Sequence, residues 1–424
     1  MVRGFLIGGT HSGCGKTTVT LGLLRVLRKK GFKVQPFKVG PDYIDTSWHK
    51  VVGGKASVNL DLFAMEKDLE GWFLKYALEA ELSVVEGVMG LLDGNFSSYR
   101  VAKRLGLPVV LVVDTFGLAE TIEAIVLGFK VFLEREGLNL YLVLNRVSSE
   151  KHLLRLLKAL KDFKIVGFLF RKNEISIPSR HLGLFMPERE ILEEERFFLL
   201  EEEVERNFDL EFLTHLRTNK NFDTSEVPFS NLEIPFSKIA IAYDSAFCFY
   251  YTHLLDLLSQ KKQLYFFSPL KDRRLPSEAE VIYLGGGYPE LYAEALAENE
   301  TLKKDLRDWV EEGKPLYAEC GGLIYLSKKL FYQEKSYPMV GIFPLRVEMK
   351  GLHLGYREVF PNLEIGFWKG SPFRGHEFHY TSVEELSEIK KTYLVKDLEG
   401  KVWEEGYTYK KAIATYVHLI NLIS

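Results

Sequence analysis

Gly8-Gly9-Thr10-His11-Ser12-Gly13-Cys14-Gly15-Lys16-Thr17-Thr18 follows the apolar run Phe5-Leu6-Ile7 and opens a helical pattern. Strand, glycine-rich loop and helix in that order make a phosphate-binding loop. Small residues let the backbone wrap a polyphosphate, successive N–H groups point inward, and the helix N-terminus adds positive potential. On this reading Thr10, Gly13, Gly15, Lys16, Thr17 and Thr18 hold a nucleoside triphosphate. Lys16 reaches the β- and γ-phosphates, and the Thr17 hydroxyl ligates Mg²⁺. The strict pattern places a glycine where this chain has Thr10; here the glycine stands one residue earlier, at Gly9.

Working outward, Thr17 to Lys30 reads as an amphipathic helix with Val19, Leu23 and Leu27 on one face, stopped at Gly31. Apolar segments recur at Val34 to Val39, Leu82 to Val85, Val109 to Val113, Tyr141 to Leu144 and Ile165 to Phe170. Helical patterns lie between several of them, notably Leu118 to Glu134 and Lys151 to Lys161. Short buried strands alternating with helices predict an α/β fold with a doubly wound, mainly parallel sheet. Ligands gather at the carboxyl ends of such strands, so the polar residues just after each strand are the candidates.

After the second strand comes Lys38-Val39-Gly40-Pro41-Asp42-Tyr43-Ile44-Asp45. Gly-Pro enforces a turn. Asp45 or Asp42 is placed to hold Mg²⁺ and Lys38 to face a phosphate or an acidic substrate; a solvated loop shaped by the two aspartates is the competing reading. Glu86 ends the third strand and continues into Gly87-Val88-Met89-Gly90-Leu91-Leu92-Asp93-Gly94. That is where phosphate-loop enzymes place an acidic partner for Mg²⁺. Asn145 at the end of the fifth strand either reads a nucleobase or caps a turn. Arg180 and His181 lie in a loop, where the Arg fork suits a carboxylate or nucleotide. Glu188 to Arg206 is a strongly acidic helical stretch that reads as a solvated face. Residues 218–237 are polar and aperiodic, which predicts a linker between a domain at 1–217 and a second at 238–424.

A second α/β unit opens with the strand at Lys238 to Ala242. Val281 to Leu284 runs into Gly285-Gly286-Gly287-Tyr288-Pro289-Glu290, where bare N–H groups face an anion. Pro315 opens a short strand ending at Glu319-Cys320-Gly321-Gly322, followed by the helical pattern Leu323 to Leu330. A thiol at a sharp strand-to-helix turn is a nucleophile held exposed, and a helix N-terminus favours its thiolate. The N–H of Gly321 and one from the triple glycine, Gly286 or Gly287, then supply an oxyanion hole. The competing reading is a structural cysteine. The base comes from His353, His376, His379 or His418; His376 and His379 fall on opposite faces of a strand, which disfavours a shared metal. His418 follows the strand Ala412 to Val417, at a carboxyl end of the sheet.

At 424 residues the chain is long for one core, so two domains are expected. A formal net charge of −3 gives no basis for nucleic-acid or membrane binding through overall charge. Three cysteines make no disulfide framework and fit a reducing, cytoplasmic location. Met1-Val2-Arg3 runs straight into a strand, predicting no cleaved leader. The assembly is not fixed by the sequence; a homodimer is compatible with it.

Taken together, Gly9 to Thr18, the Gly40 to Asp45 loop, Val85 to Gly94, Arg180 to Leu184, Gly285 to Glu290, Ala318 to Leu326 and Gly375 to Tyr380 resemble the cobyrinate a,c-diamide synthase family over both halves. The resemblance implies a dethiobiotin-synthetase-like ATP-binding domain, a group that carries the shifted glycine. It also implies a class I glutamine amidotransferase domain of the cobyrinate/cobyric acid type. Carried over by motif, Cys320 is the glutaminase nucleophile and His418 its base. Ordinary class I members place a glutamate two residues after that histidine; here the position is Ile420, as in the cobyrinate type. The implied substrates are ATP with Mg²⁺, glutamine and a corrin polycarboxylate, with Lys38, Asp42, Asp93, Arg180 and His181 as candidates to bind the last. The implied reaction activates acetate carboxylates as acyl phosphates for ammonia, which calls for a channel or domain closure. The family architecture also serves nickel-sirohydrochlorin a,c-diamide synthase and, more distantly, cobyric acid synthase. A reading from another class makes the chain an ATP-driven switch whose second domain is a docking module.

Overall fold

The computed structural model describes residues 1–175, 177, 179–180, 183–184, 194–222, 234–362 and 372–422. They form two compact units, Met1–Pro228 and Phe229–Ser424.

The first unit is built on seven strands: β1 (Gly4–Gly9), β2 (Val34–Val39), β3 (Val58–Leu60), β4 (Leu82–Glu86), β5 (Val109–Asp114), β6 (Leu140–Val147) and β7 (Ile165–Phe170). They lie in the order β3-β2-β4-β1-β5-β6-β7, every pair parallel. Strand β1 is buried along its whole length, as its unbroken apolar and glycine sequence requires for a strand covered on both faces. It pairs with β4 on one side and β5 on the other, so the chain order reverses at β1. The crevice at such a switch point is where ligands bind, and the glycine-rich loop leaves β1 there. Register does the rest. Ile7 stands beside Glu86, and Lys38 stands beside Glu86 on its other side.

Helix α1 (Lys16–Lys29) buries Val19, Leu23, Val26 and Leu27, and its last turn carries Arg28 and Lys29, as a helix C-terminus favours. Helix α2 (Ile44–Gly53) follows the Gly-Pro turn. The three-residue β3 escaped the sequence reading because so short a run has no period to detect. Ser179–Arg180 and Gly183–Leu184 form a small antiparallel hairpin, β8 and β9.

The acidic stretch corrects an expectation. Residues 194–207 form a helix whose Phe197, Leu200 and Val204 are buried, and Gly22 of α1 lets Val204 approach to where a Cβ would lie 2.7 Å from its Cγ2. Glu201 is buried against α1, taking hydrogen bonds from Arg25 Nε (2.7 Å) and Lys29 Nζ (2.5 Å). Burial and the two cations decide its role, not its acidity: it docks rather than faces solvent.

The second unit holds β10 (Lys238–Ala242), β11 (Gln263–Phe267), β12 (Val281–Leu284), β13 (Leu316–Glu319), β14 (Ser327–Tyr332), β15 (Lys335–Pro338), β16 (Phe343–Pro361), β17 (Phe373–Glu385), β18 (Lys390–Lys396), β19 (Val402–Tyr409), β20 (Ala412–Thr415) and β21 (His418–Leu422). Its parallel core runs β11-β10-β12-β13-β20. An antiparallel extension continues through β19, β18 and β16, and β17 pairs with both β16 and β21. The fold class is α/β in both units, with this extension as an addition. The expected helix Leu323 to Leu330 is cut short. The helix ends at Leu326 and Ser327 turns extended to start β14, because pairing with β16 outweighs local helical pattern. The strand expected through Val417 stops at Thr415, and His418 begins β21.

Candidate active sites

In the first unit the loop closes on itself. Gly15 caps α1 at φ 101°, a conformation that favours glycine, and a Cβ there would lie 2.0 Å from Asn145 Nδ2. Asn145 Nδ2 donates to the Cys14 carbonyl (2.8 Å), and Arg146 Nη2 donates to the Gly13 carbonyl (2.9 Å). Asn145 thus braces the loop rather than ending in open solvent, and Arg146, also held by Asp114 at 2.5 Å, does the same. Thr10 bonds His11 (2.9 Å) and Lys16 Nζ reaches the His11 carbonyl (3.4 Å). Burial pulls the Lys16 ammonium below its ordinary value. The displaced glycine now has a cause. A Cβ on Gly9 would sit 2.4 Å from Cys14 Sγ and 3.0 Å from Lys16 Cγ. Glycine is required where the buried thiol and the lysine stem cross the strand end.

Thr17, Lys38, Asp45 and Glu86 come together. Thr17 Oγ1 donates to Glu86 Oε1 (2.7 Å), and Lys38 Nζ donates to Glu86 Oε1 (3.0 Å) and Asp45 Oδ2 (2.5 Å). Burial works against every charge here. For Glu86 it is outweighed by Lys38, His49 and Thr17, which hold the carboxyl below its usual range. For Lys38 it is outweighed by Asp45, Glu86 and Asp42, which hold the ammonium charged. For Asp45 burial, with Asp42 beside it, pushes the carboxyl well up despite Lys38. A hydroxyl and two carboxylates are hard oxygen donors of the kind Mg²⁺ takes, so the donor set fits that ion beside a triphosphate. Among the described residues no cluster of three or more His, Cys, Asp or Glu forms a metal site by itself.

The sequence reading missed His49. Its Nε2 bonds Glu86 Oε2 (2.7 Å) and its Nδ1 bonds Ser57 Oγ (2.9 Å), fully buried. The signal was there: Asp45 and His49 are four apart on α2 and share a face. Asp42 mainly shapes its turn, its Oδ1 accepting from the N–H groups of Ile44 (2.9 Å) and Asp45 (2.8 Å). Asp93 is exposed and accepts from Gly90 N–H (2.8 Å). For Arg180 only the backbone is described, and His181 lies outside the described residues.

In the second unit Cys320 sits between β13 and a helix, at φ 44° and ψ −97°. This strained backbone is the form a nucleophile takes at a strand-to-helix elbow. Cys320 N–H donates to Thr415 O (2.7 Å) and Gly322 N–H to Gly285 O (3.0 Å), locking the elbow to β20 and to the triple glycine. A Cβ on Gly321 would lie 2.9 Å from Gly287 N, and one on Gly286 would lie 2.2 Å from His418 Cε1. Elbow, glycine loop and imidazole therefore meet around Gly286. Gly285 N–H is already committed to Tyr250 Oη (2.7 Å), so Gly286 and Gly287 are the loop's candidates for an oxyanion.

The expectation that the helix start favours a thiolate is not met. The helix Gly321–Leu326 spans only 6 residues, and burial pushes the Cys320 thiol far up. Glu290, Glu319 and Glu377 add to the push, against the Gly321 N–H. The thiol has to lose its proton as it attacks, which requires a base at hand. His418 is the candidate: it is buried, and the His376 ring stacks on it at 5.1 Å. His376 is tied to Tyr251 Oη (3.0 Å), and burial keeps its imidazole neutral. His379 lies elsewhere, stacked on Tyr416 at 3.7 Å and on His353 at 4.9 Å.

Comparison with known proteins agrees with both halves. The CobQ/CobB/MinD/ParA nucleotide binding domain matches residues 5–192, and the CobB/CobQ-like glutamine amidotransferase domain matches residues 238–422. Cobyrinate a,c-diamide synthase of Caldanaerobacter subterraneus subsp. tengcongensis is 41% identical over 437 residues, covering 100% of this chain and 96% of the relative. The enzyme of the same name from Listeria innocua is 39% identical, covering 98% and 95%. That of Salmonella typhimurium is 38% identical, covering 98% and 94%. Likeness of this extent, end to end and across both units, decides the matter: the chain belongs to the cobyrinate a,c-diamide synthase family.

Proposed function

We propose that this chain amidates the a- and c-acetate carboxylates of cobyrinate in cobalamin biosynthesis, using ATP and glutamine and passing through acyl phosphates. The observation that carries the reading is the presence in one chain of two sites. One is a phosphate loop backed by Thr17, Lys38 and Glu86; the other is a thiol at a strained elbow beside an imidazole. A carboxylate is a poor electrophile and does not lose O²⁻, so it needs phosphorylation before ammonia can displace oxygen. In this division residues 1–217 carry the synthase, 238–424 the glutaminase, and 218–237 link them.

In the glutaminase, His418 Nε2 takes the Cys320 proton as sulfur attacks the side-chain carbonyl of glutamine. The N–H groups of Gly286, Gly287 and Gly321 face the developing oxyanion. His418 returns the proton to the leaving nitrogen, ammonia departs, and the thioester is cleaved by water to glutamate. In the synthase, the substrate carboxylate attacks the γ-phosphorus and ADP leaves; ammonia then attacks the acyl carbon and phosphate leaves. Lys16 draws charge from the transferring phosphoryl group, and Lys38 keeps Asp45 and Glu86 in place. Thr17, Asp45 and Glu86 would hold Mg²⁺, which would supply positive charge against the phosphates. Lys38, Asp42, Asp93, Arg180 and His181 remain the candidates to bind the corrin.

Turnover with ATP, magnesium and glutamine, offered either cobyrinate or nickel-sirohydrochlorin and read by mass spectrometry, tests the reading. A doubly amidated product from cobyrinate is expected. Diamide from the nickel compound alone, or amidation at other carboxylates, refutes it.

A further inference from the structure

Glu319 precedes the nucleophile, and beyond its charge near the thiol it has been given no role. It ends β13, is 1% exposed, and shares a strand face with Tyr317, whose hydroxyl donates to its Oε1 at 2.9 Å. The N–H of Leu419, the residue after His418, donates to the same oxygen at 3.2 Å. Its other oxygen, Oε2, lies 3.6 Å from Nδ1 of His418. One oxygen takes these two donors, the other lies nearest the imidazole, and Tyr283 bonds the same carboxylate. A buried carboxylate needs such partners to remain in the fold.

Among the described residues, the groups packed on the ring meet it at its face or at Cε1. His376 stacks on the ring face, Phe249 meets it at 6.4 Å with its ring inclined 60°, and Gly286 lies against Cε1. Tyr251 is engaged with Nδ1 of His376. Position 420, where a glutamate would follow the histidine, is Ile420, buried in β21.

We infer that Glu319 is the positioning carboxylate of the glutaminase: it accepts a hydrogen bond from Nδ1–H of His418 and thereby leaves Nε2 free to take the proton of Cys320. The carboxylate comes from the residue before the nucleophile instead of from the strand after the base. Chain order does not matter to such a constellation; geometry does. The 3.6 Å separation is longer than a hydrogen bond, and a small shift of the imidazole on glutamine binding closes it to one. No bond to substrate is made by Glu319, and the Nδ1 proton stays on His418 while Nε2 takes up and releases the transferred one. The inference rests on the reading of His418 as base.

The test compares full-length Glu319→Gln, Glu319→Asp and His418→Asn. Glu319→Gln keeps an acceptor for Tyr317 and Leu419 but turns an amide N–H toward Nδ1, which forces the proton onto Nε2. Glutamine-driven turnover is expected to fall roughly a hundredfold or more in kcat, with KM for glutamine little changed. Amidation from ammonium chloride is expected to stay at the wild-type rate. In ¹⁵N NMR of the histidines, the His418 proton is expected on Nδ1 in the wild type and on Nε2 in Glu319→Gln. Glu319→Asp is expected to restore the wild-type tautomer and part of the rate. An unmoved tautomer, a loss under threefold, or equal loss of glutamine- and ammonium-driven turnover overturns the assignment. His418→Asn separates the two levels. If it remains a glutaminase, the reading of His418 falls; if it is inactive while Glu319→Gln is not, only the role of Glu319 falls.

Discussion

Lys38 and Glu86 stand opposite each other in register on adjacent parallel strands, with the ammonium 3.0 Å from the carboxylate and both side chains buried. Neither strand's sequence reveals the pair; the sheet makes it. Removing the cation alone leaves Glu86 and Asp45 buried with their compensating charge gone. Lys38→Met is therefore expected to cost about 3–5 kcal/mol in the first unit, seen as a lowered unfolding transition. It is also expected to abolish amidation from either nitrogen source. A stable Lys38→Met protein would show that the cluster is not held by this pair.

Glu86→Gln separates the two chemistries. Its carboxylate binds Thr17, Lys38 and His49. ATP-dependent amidation is expected to disappear with both glutamine and ammonium, while glutamate release from glutamine continues. Assay of both products in one reaction gives the result.

Gly9→Ala places a Cβ 2.4 Å from Cys14 Sγ and 3.0 Å from the Lys16 stem. The expected outcome is a rise in KM for ATP of about tenfold or more, from a displaced Lys16. Shrinking the thiol in Gly9→Ala/Cys14→Ala is expected to recover part of the loss.

Gly286→Ala pushes on the imidazole, since its Cβ would lie 2.2 Å from His418 Cε1. Glutaminase activity is expected to collapse with ammonium-driven amidation intact. Steady-state assays with each nitrogen donor check it.

Glu405, buried in β19, accepts from Thr415 Oγ1 (2.5 Å) and Tyr416 N–H (2.7 Å). Burial, aided by Glu377, pushes its carboxyl up to about 7, against these hydrogen bonds. The folded state therefore holds a proton that the unfolded chain releases near the ordinary value of 4.5. The contribution is fully present below that value and is lost as pH rises through about 7, on the order of 3 kcal/mol in all. Glu405→Gln is expected to remove this slope from the second unit's unfolding transition between about pH 4.5 and pH 7. An unchanged slope rejects the assignment.

Much of this was legible in the chain. The apolar runs and the loop at Gly9 to Thr18 gave the parallel sheet, because a strand covered on both faces has nowhere to put polar residues. The glycine-flanked Cys320 gave the elbow. What sequence concealed was set by register and packing. His49 reaches Glu86 only because α2 lies over β2 and β4, and Glu319 reaches His418 only because β13 and β20 are neighbours. The helix at 194–207 looked solvated because its charges outnumber its apolar residues. Its stripe of Phe197, Leu200 and Val204 counts only once α1 supplies the partner surface. The thiol's state was misjudged for a related reason: motif spacing shows the helix start but not the depth of burial.

In the proposed reaction nitrogen is liberated at Cys320 and used at the phosphate loop. Cys320→Ala tests it most directly, with amidated product measured from glutamine and, separately, from ammonium chloride. The account predicts no product from glutamine and wild-type rates from ammonium. Product from glutamine, or loss of both activities in a folded protein, would contradict it.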